Sequence, residues 1–129
     1  MIVVDTSVWI SLLRDRGTPQ VERLLAIRNR SEILLTDLVL LELLQGSRDD
    51  RHASRIERDL SVFEQVAISS LELAPIAARH YRRLRTRGIT IRKTADLIIA
   101  SYCITHGHHL LHQDRDFDPF AEHCGLLIA

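Results

Sequence analysis

The sequence predicts an α/β fold with a mainly parallel central sheet and helices on both of its faces. Two observations support this prediction. Short β-branched or aliphatic runs alternate with segments of helical periodicity along almost the whole chain, an order that favours parallel strands joined by helical crossovers. The chain has 129 residues, 46% of them hydrophobic, which suits a single domain over residues 1–129 with no second core.

The elements of the first half follow from local patterns. Ile2–Val4 is β-branched without polar alternation, which is typical of a buried central strand. Asp5 is suited to cap the helix that follows, and Pro19 suits the first turn of the next one. The predicted elements are, in order, a strand at 2–4, helices at 8–13 and 19–28, a strand at 33–35, and helices at 37–45 and 49–60.

The second half continues the alternation. Gly88 and Gly107 are suited to end two long helices. Pro75 prefers the first turn of a helix, so the pattern leaves the start of the first long helix open. The predicted elements are a strand at 63–68, helices at 69–87 and 94–106, and strands at 109–111 and 126–128.

Composition excludes several classes of protein. Seventeen basic and seventeen acidic residues cancel, so the overall charge indicates neither a nucleic-acid-binding nor a membrane-surface protein. The longest apolar run, residues 38–44, is interrupted by Glu42 and is too short to span a bilayer. The N-terminus lacks the basic region of a signal peptide, and Cys103 and Cys124 form no CxxC pair. We therefore expect a cytoplasmic protein with no part in a membrane.

Four acidic residues stand at positions where chemistry is expected. Asp5 and Asp114 each follow a predicted strand, and parallel sheets bind ligands at the carboxyl ends of their strands. Glu42 lies within an apolar helical run, and Asp96 lies in the first turn of another. A buried, unpaired carboxylate is costly, so Glu42 in particular needs a cation, an arginine or a proton.

Each acid also has an ordinary explanation. Asp5 can serve only as a helix N-cap, Asp96 can serve only to favour the positive end of a helix dipole, and Glu42 can face solvent. The acids at 114, 116 and 118 are also typical of a solvated turn.

Convergence of the acids would require a cation. Two carboxylates about 5 Å apart repel by about 3 kcal/mol at an effective dielectric constant of 20. Several such pairs would rival the stability of a small domain, and protonation would relieve only part of the cost. All-oxygen ligands suit Mg²⁺ or Mn²⁺, and bound Mg²⁺ keeps waters that can attack a phosphodiester.

Four segments carry these acids in their strand and helix contexts: residues 2–10, 41–46, 94–100 and 110–117. In this order they resemble the PIN-domain ribonucleases, and specifically the VapC toxins of bacterial toxin–antitoxin pairs. The resemblance implies a three-layer α/β/α fold and a Mg²⁺-dependent endoribonuclease that cleaves structured cellular RNA of the tRNA or rRNA class. It also implies a homodimer and a cognate VapB-type antitoxin that blocks the site.

The resemblance also implies residue roles. The acidic quartet of the family falls on Asp5, Glu42, Asp96 and Asp114, and Asp116 matches an additional acid of many members. All of these but Glu42 would hold Mg²⁺, directly or through water, whereas Glu42 would position the metal or polarise the attacking water. One departure is His112, which stands where many relatives have serine or threonine.

A basic stretch leads to Asp96. Residues 73–95 contain no acid, and only one of the seventeen basic residues of the chain is lysine. Guanidinium groups suit bidentate phosphate contacts. We expect this stretch to guide RNA to the metal, and a solvated helix face is the alternative. The residues expected to bind RNA are Arg82, Arg85, Arg92 and Lys93.

Other interpretations stay open at this point. A Mg²⁺-dependent phosphatase would need an acid two residues after an aspartyl nucleophile, where Ser7 stands. A non-catalytic PIN-like module that binds RNA or protein is the second alternative. Ile56, Leu60 and Phe63 offer a thin apolar face for an antitoxin helix or for ordinary packing, while Trp9 and its neighbours are expected in the core.

Zinc is a further possibility in the second half of the chain. Histidine and cysteine are zinc ligands, but no ligand spacing typical of a zinc site is present. His109 and its neighbours also alternate between the faces of a predicted strand. The residues concerned are Cys103, His106, His108, His109 and His112.

Overall fold

The computed structural model describes all 129 residues and contains one five-stranded sheet with seven α-helices. The strands are β1 (Ile2–Val4), β2 (Ile33–Thr36), β3 (Glu64–Val66), β4 (His109–Leu111) and β5 (Leu127–Ile128). The helices are α1 (Thr6–Leu13), α2 (Pro19–Ala26), α3 (Asp37–Gln45), α4 (Asp50–Leu60), α5 (Leu73–Thr86), α6 (Thr94–His106) and α7 (Asp118–His123). Short 3₁₀ turns cover Arg30–Glu32 and Arg115–Phe117.

The sheet is entirely parallel, with the strand order β3-β2-β1-β4-β5. β1 is central, as predicted, and Val3 lies opposite Leu34 on one side and Leu110 on the other. None of these three side chains is more than 3% exposed. Helices α1–α4 pack against one another, and α5 packs against α6 and α7. The predicted α/β fold with a mainly parallel central sheet is confirmed.

Side chains cap the N-termini of α1 and α3, which begin at the carboxyl edge of the sheet. The Asp5 carboxylate accepts the backbone N–H of Ser7 at 3.1 Å, as expected of an N-cap. Thr36, rather than Asp37, caps α3 through its hydroxyl. Asp37 instead accepts the N–H of Ile68 at 3.1 Å, which ties the segment after β3 to the start of α3.

A core of 24 buried residues surrounds the sheet. Leu13, one of the neighbours of Trp9 that were expected in the core, is instead 53% exposed. It is the last residue of α1. Trp9 is buried as expected and packs on Phe63 with ring centroids 5.4 Å apart.

No helix is both long enough and apolar enough to cross a membrane.

Several element bounds differ from the predicted ones. The helix after β3 begins at Leu73 rather than residue 69, because the Ser70 hydroxyl accepts the Leu73 N–H and Pro75 then falls in the first turn. The predicted strand at 63–68 is limited to Glu64–Val66, and the second helix ends at residue 26. The sequence interpretation missed α7, whose six residues are too few to show a helical period.

Candidate active site

Three of the five predicted acids, Asp5, Asp114 and Asp116, lie just beyond the ends of two strands, and a fourth, Asp96, begins a helix. Asp5 lies directly after β1 and continues its ladder, since its N–H donates to the Leu111 carbonyl of β4 at 2.9 Å. Asp114 lies three residues after β4, and Asp116 lies in the 3₁₀ turn that follows. Asp96 enters from the first turn of α6 and, like Asp5, is only 4% exposed. These acids therefore share the carboxyl edge of the two central strands.

These four acids are here called the acidic cluster. Within it, Asp96, Asp114 and Asp116 form the tightest group. One carboxylate oxygen from each lies within 4.8 Å of those of the other two. Asp114 also accepts the N–H of Asp116 at 2.9 Å, which fixes the turn between them. The Lys93 ammonium lies 3.9 Å from the Asp114 carboxylate and is the only basic side chain within salt-bridge distance of the group.

Among the acids of the site, Asp96 has the pKa that is raised most. Its Oδ2 atom is buried and has no hydrogen-bond partner. Burial, together with the negative charges of Asp5 and Asp114, raises the pKa of Asp96 to about 7. The nearby charge of Lys93 opposes this shift without cancelling it. An oxygen atom in this state fits a ligand position for a cation.

Glu42 reaches the cluster from α3 and is half-buried. The hydroxyl of Thr6, at the start of α1, donates to Glu42 Oε1 at 3.1 Å and orients the side chain. Burial raises the pKa of Glu42, the Thr6 hydrogen bond opposes the rise, and the charge of Asp5 adds to it. The Glu42 carboxylate therefore lies only partly in solvent and is held by a hydrogen bond to Thr6.

A hydrogen-bond network that the sequence interpretation missed holds Asp5 to the segment before Asp114. The Ser7 hydroxyl donates to Asp5 Oδ2 at 2.6 Å and accepts the backbone N–H of Gln113 at 3.2 Å. The Gln113 side chain donates to the Ser11 hydroxyl at 2.9 Å and accepts the Thr18 hydroxyl at 2.6 Å. Ser11 is buried within α1, but only the structure shows this burial, so the sequence carried no signal for the network.

The donor set suits a divalent cation. The cluster offers carboxylate oxygens only, brings three of them within 4.8 Å, and leaves one buried oxygen without a partner. Such an all-oxygen set is typical of Mg²⁺, Ca²⁺ or Mn²⁺ sites. The three acids are the only group of three or more potential ligands in the molecule that meets this spacing.

The histidines form no comparable group. His106 and His108 stack with ring centroids 5.9 Å apart, beside Tyr102. The Cys103 thiol is fully buried, and burial raises its pKa to about 12, which opposes metal binding. His112 instead accepts the N–H of Asp114 through Nδ1 at 3.2 Å. The backbone N–H of Asp114 therefore has an imidazole acceptor from the position where the resemblance would place a hydroxyl.

The predicted RNA-binding residues are all exposed. Arg82 and Arg85 project from the last turns of α5, and the Arg85 guanidinium lies 5.8 Å from the centre of the Tyr81 ring. Lys93 contacts the acidic cluster directly, and Arg92 precedes it in the segment that joins α5 to α6. The basic stretch therefore leads along the chain directly to Asp96 of the acidic cluster.

The five-stranded parallel sheet and the acids at its carboxyl edge are the features of a PIN domain. The family model of the PIN domain matches residues 2–122, and the chain belongs to this family.

Relatives within the family are more specific. The chain is 32% identical to the VapC ribonuclease Mb1587 of Mycobacterium bovis and, to the same extent, to the ribonuclease VapC11 of Mycobacterium tuberculosis. Each match covers 100% of this chain and 98% of the relative. The chain is thus a member of the VapC ribonuclease family.

Solved structures agree on the fold. The structure of VapBC2 from Rickettsia felis, bound to a DNA fragment from their promoter, matches with a TM-score of 0.76 at 22% identity. VapBC-1 from nontypeable Haemophilus influenzae also matches with a TM-score of 0.76, at 19% identity. The matches cover 100% of this chain and 98% and 97% of the respective chains. The expected three-layer α/β/α arrangement is confirmed.

Proposed function

We propose that this protein is the toxin of a toxin–antitoxin pair and a Mg²⁺-dependent endoribonuclease that cleaves cellular RNA of the tRNA or rRNA class. The observation that carries the proposal is the group of Asp96, Asp114 and Asp116, whose carboxylate oxygens lie within 4.8 Å of one another, together with a buried and unpartnered oxygen on Asp96. The 32% identity to VapC ribonucleases over the full chain supports the same activity.

Asp5, Asp96, Asp114 and Asp116 are the proposed Mg²⁺-binding residues, directly or through water. When bound, Mg²⁺ supplies a water of lowered pKa and takes up charge on the scissile phosphate. Ser7 holds one oxygen of Asp5 by its 2.6 Å hydrogen bond, so the other oxygen remains available to the cation.

Glu42 is proposed to orient the attacking water. Thr6 fixes its carboxylate, and burial keeps its proton affinity above that of an ordinary glutamate, which suits acceptance of a proton. Attack by water leaves a 3′-hydroxyl and a 5′-phosphate. A 2′,3′-cyclic phosphate would instead indicate attack by the RNA 2′-hydroxyl.

The basic stretch is the proposed path of the RNA backbone. Lys93 lies beside Asp114 and would neutralise a phosphate next to the metal. Arg82, Arg85 and Arg92 would extend this contact along α5 and the segment that follows it, because guanidinium groups bind phosphate oxygens in pairs.

A VapB-type antitoxin is the proposed protein partner, since the structural neighbours are VapBC complexes. An apolar groove of about 260 Å³ between α1, α3 and α4 is suited to an amphipathic segment of such a partner. Trp9 lines this groove and has a buried Nε1–H with no acceptor. We also expect a homodimer and a cytoplasmic location, which sedimentation and cell fractionation would test.

Cleavage assays with a cluster variant test the proposed activity. Asp5→Asn keeps an N-cap for α1 but removes a ligand charge, so it should abolish cleavage of total bacterial RNA in Mg²⁺. EDTA should abolish cleavage by the unmodified protein, and Asp15→Asn, at an exposed turn with a φ of 53°, serves as the matched control. Full cleavage in EDTA, or by Asp5→Asn, would refute the proposal and favour a non-catalytic binding module or a different enzyme.

A further inference from the structure

A second cavity, bounded by residues of α1, α3 and α4 and by the segment that joins α3 to α4, is here called the α1–α4 cavity. It has a volume of about 340 Å³, and Glu42 forms part of its wall. Ile10 and Leu43 contribute apolar wall. The remaining polar lining residues are basic or imidazole side chains, Arg14, Arg48 and His52.

The two arginines of the α1–α4 cavity have free guanidinium groups. The molecule contains two salt bridges, Lys93–Asp114 and His123–Glu122, and neither involves Arg14 or Arg48. Glu42 is the only acidic side chain on the cavity wall, so two guanidinium charges face a single carboxylate there. The cavity therefore presents a net positive potential directly beside the acidic cluster.

His52 is held so that it can add a hydrogen-bond donor. The ring Nδ1 of His52 accepts the backbone N–H of Arg48 at 3.1 Å, and the backbone N–H of His52 donates to the Asp49 carboxylate at 2.8 Å. Since Nδ1 acts as an acceptor, the neutral ring carries its hydrogen on Nε2. The loop between α3 and α4 thus fixes both the imidazole and the backbone of Arg48.

We propose that the α1–α4 cavity binds a phosphate group of the RNA strand on the Glu42 side of the scissile phosphate. Planar guanidinium groups match the oxygens of a phosphodiester in a bidentate manner, and the apolar wall gives room for the attached sugar or base. The cavity thus adds a second cationic contact for the strand to the one that Lys93 offers beside Asp114. This inference rests on the proposed ribonuclease activity and concerns the same site.

The double variant Arg14→Gln/Arg48→Gln tests this subsite. Cleavage of a pool of fluorescent random-sequence RNA dodecamers is measured in Mg²⁺ between 50 and 200 mM salt. KM should rise about tenfold with kcat changed less than about twofold, because uniform binding of substrate and transition state is lost. The salt slope of log(kcat/KM) should fall by about 0.7, the contribution of one neutralised phosphate of a single strand.

The control and the contrary outcomes separate this inference from the proposed activity. Arg28→Gln/Arg30→Gln removes the same charge at exposed positions near the start of β2 and should leave KM and the salt slope unchanged. If the unmodified protein cleaves the pool and the Arg14/Arg48 variant has the same KM and slope, the subsite is refuted while the activity stands. Unchanged RNA cleavage with lost antitoxin inhibition would likewise refute it and assign the cavity to the protein partner.

Discussion

Neutralising Asp96 should stabilise the metal-free protein and at the same time remove its response to Mg²⁺. The pKa of Asp96 is raised from 3.8 to about 7, so the folded state binds this proton more tightly than the unfolded state does. The stability gained from that proton is fully present below about pH 4 and is lost as the pH rises through about 7. At pH 8 the ionised group costs up to about 4 kcal/mol relative to the protonated one.

The expected gain from Asp96→Asn is smaller than this limit, because an amide must find hydrogen-bond partners in the same buried position. Neighbouring carboxylates such as Asp114 are available as acceptors. At pH 8 in EDTA, we expect Asp96→Asn to raise the free energy of unfolding by about 2 kcal/mol. This corresponds to a rise of about 8 °C in Tm for a chain of this size. At pH 4.5 the two proteins should differ little.

Thermal unfolding followed by circular dichroism at pH 4.5 and pH 8, with EDTA or Mg²⁺, measures these effects. The unmodified protein should gain about 2.7 kcal/mol at a Mg²⁺ concentration 100 times its Kd, whereas Asp96→Asn should gain far less. Asp15→Asn, which neutralises an exposed acid outside the cluster, should behave as the unmodified protein. A variant that is less stable at pH 8 in EDTA, or that responds to Mg²⁺ as the unmodified protein does, would refute this reasoning.

Two further predictions concern the surroundings of the cluster. Gln113→Met removes the side-chain hydrogen bonds next to Asp114 and should raise the Mg²⁺ concentration for half-maximal cleavage about tenfold, with kcat restored at saturation. The exposed Gln45→Met is its control, and an unchanged Mg²⁺ requirement would show that the network serves the fold alone. Charge reversal of Arg82 and Arg85 to Glu should weaken RNA binding and flatten its salt dependence. An unaltered salt slope in filter-binding titrations would limit these arginines to a solvated helix face.

Local patterns predicted the parallel α/β class because each buried strand carries its own apolar run. Ile2–Val4 has no polar residue to face solvent, and its central place in the sheet follows from that. The acids were apparent because their cost is local: Asp96 and Glu42 interrupt apolar helices whatever the tertiary structure is. The resemblance then added their order along the chain.

Other features depend on contacts between distant segments and could not be predicted. The link from Ser7 to Gln113 joins residues 106 positions apart, and neither residue type is unusual where it stands. The α1–α4 cavity likewise depends on Arg14, at the end of α1, and Arg48, after α3, lining the same cavity. Sequence patterns identify a residue that is out of place, whereas they do not reveal an ordinary residue that becomes important through its neighbours.

The strand order explains why repulsion in the cluster cannot relax. From β1 the chain builds outward through β2 and β3, then returns to the other side of β1 for β4 and β5. The order therefore reverses between β1 and β4, the position at which open parallel sheets bind ligands. Asp5 is tied to Leu111 by a 2.9 Å backbone hydrogen bond, so the backbones at these strand ends cannot separate without breaking the central ladder. Because the scaffold is fixed, only a proton or a cation can remove the repulsion, and near pH 8 the proton is no longer retained by Asp96.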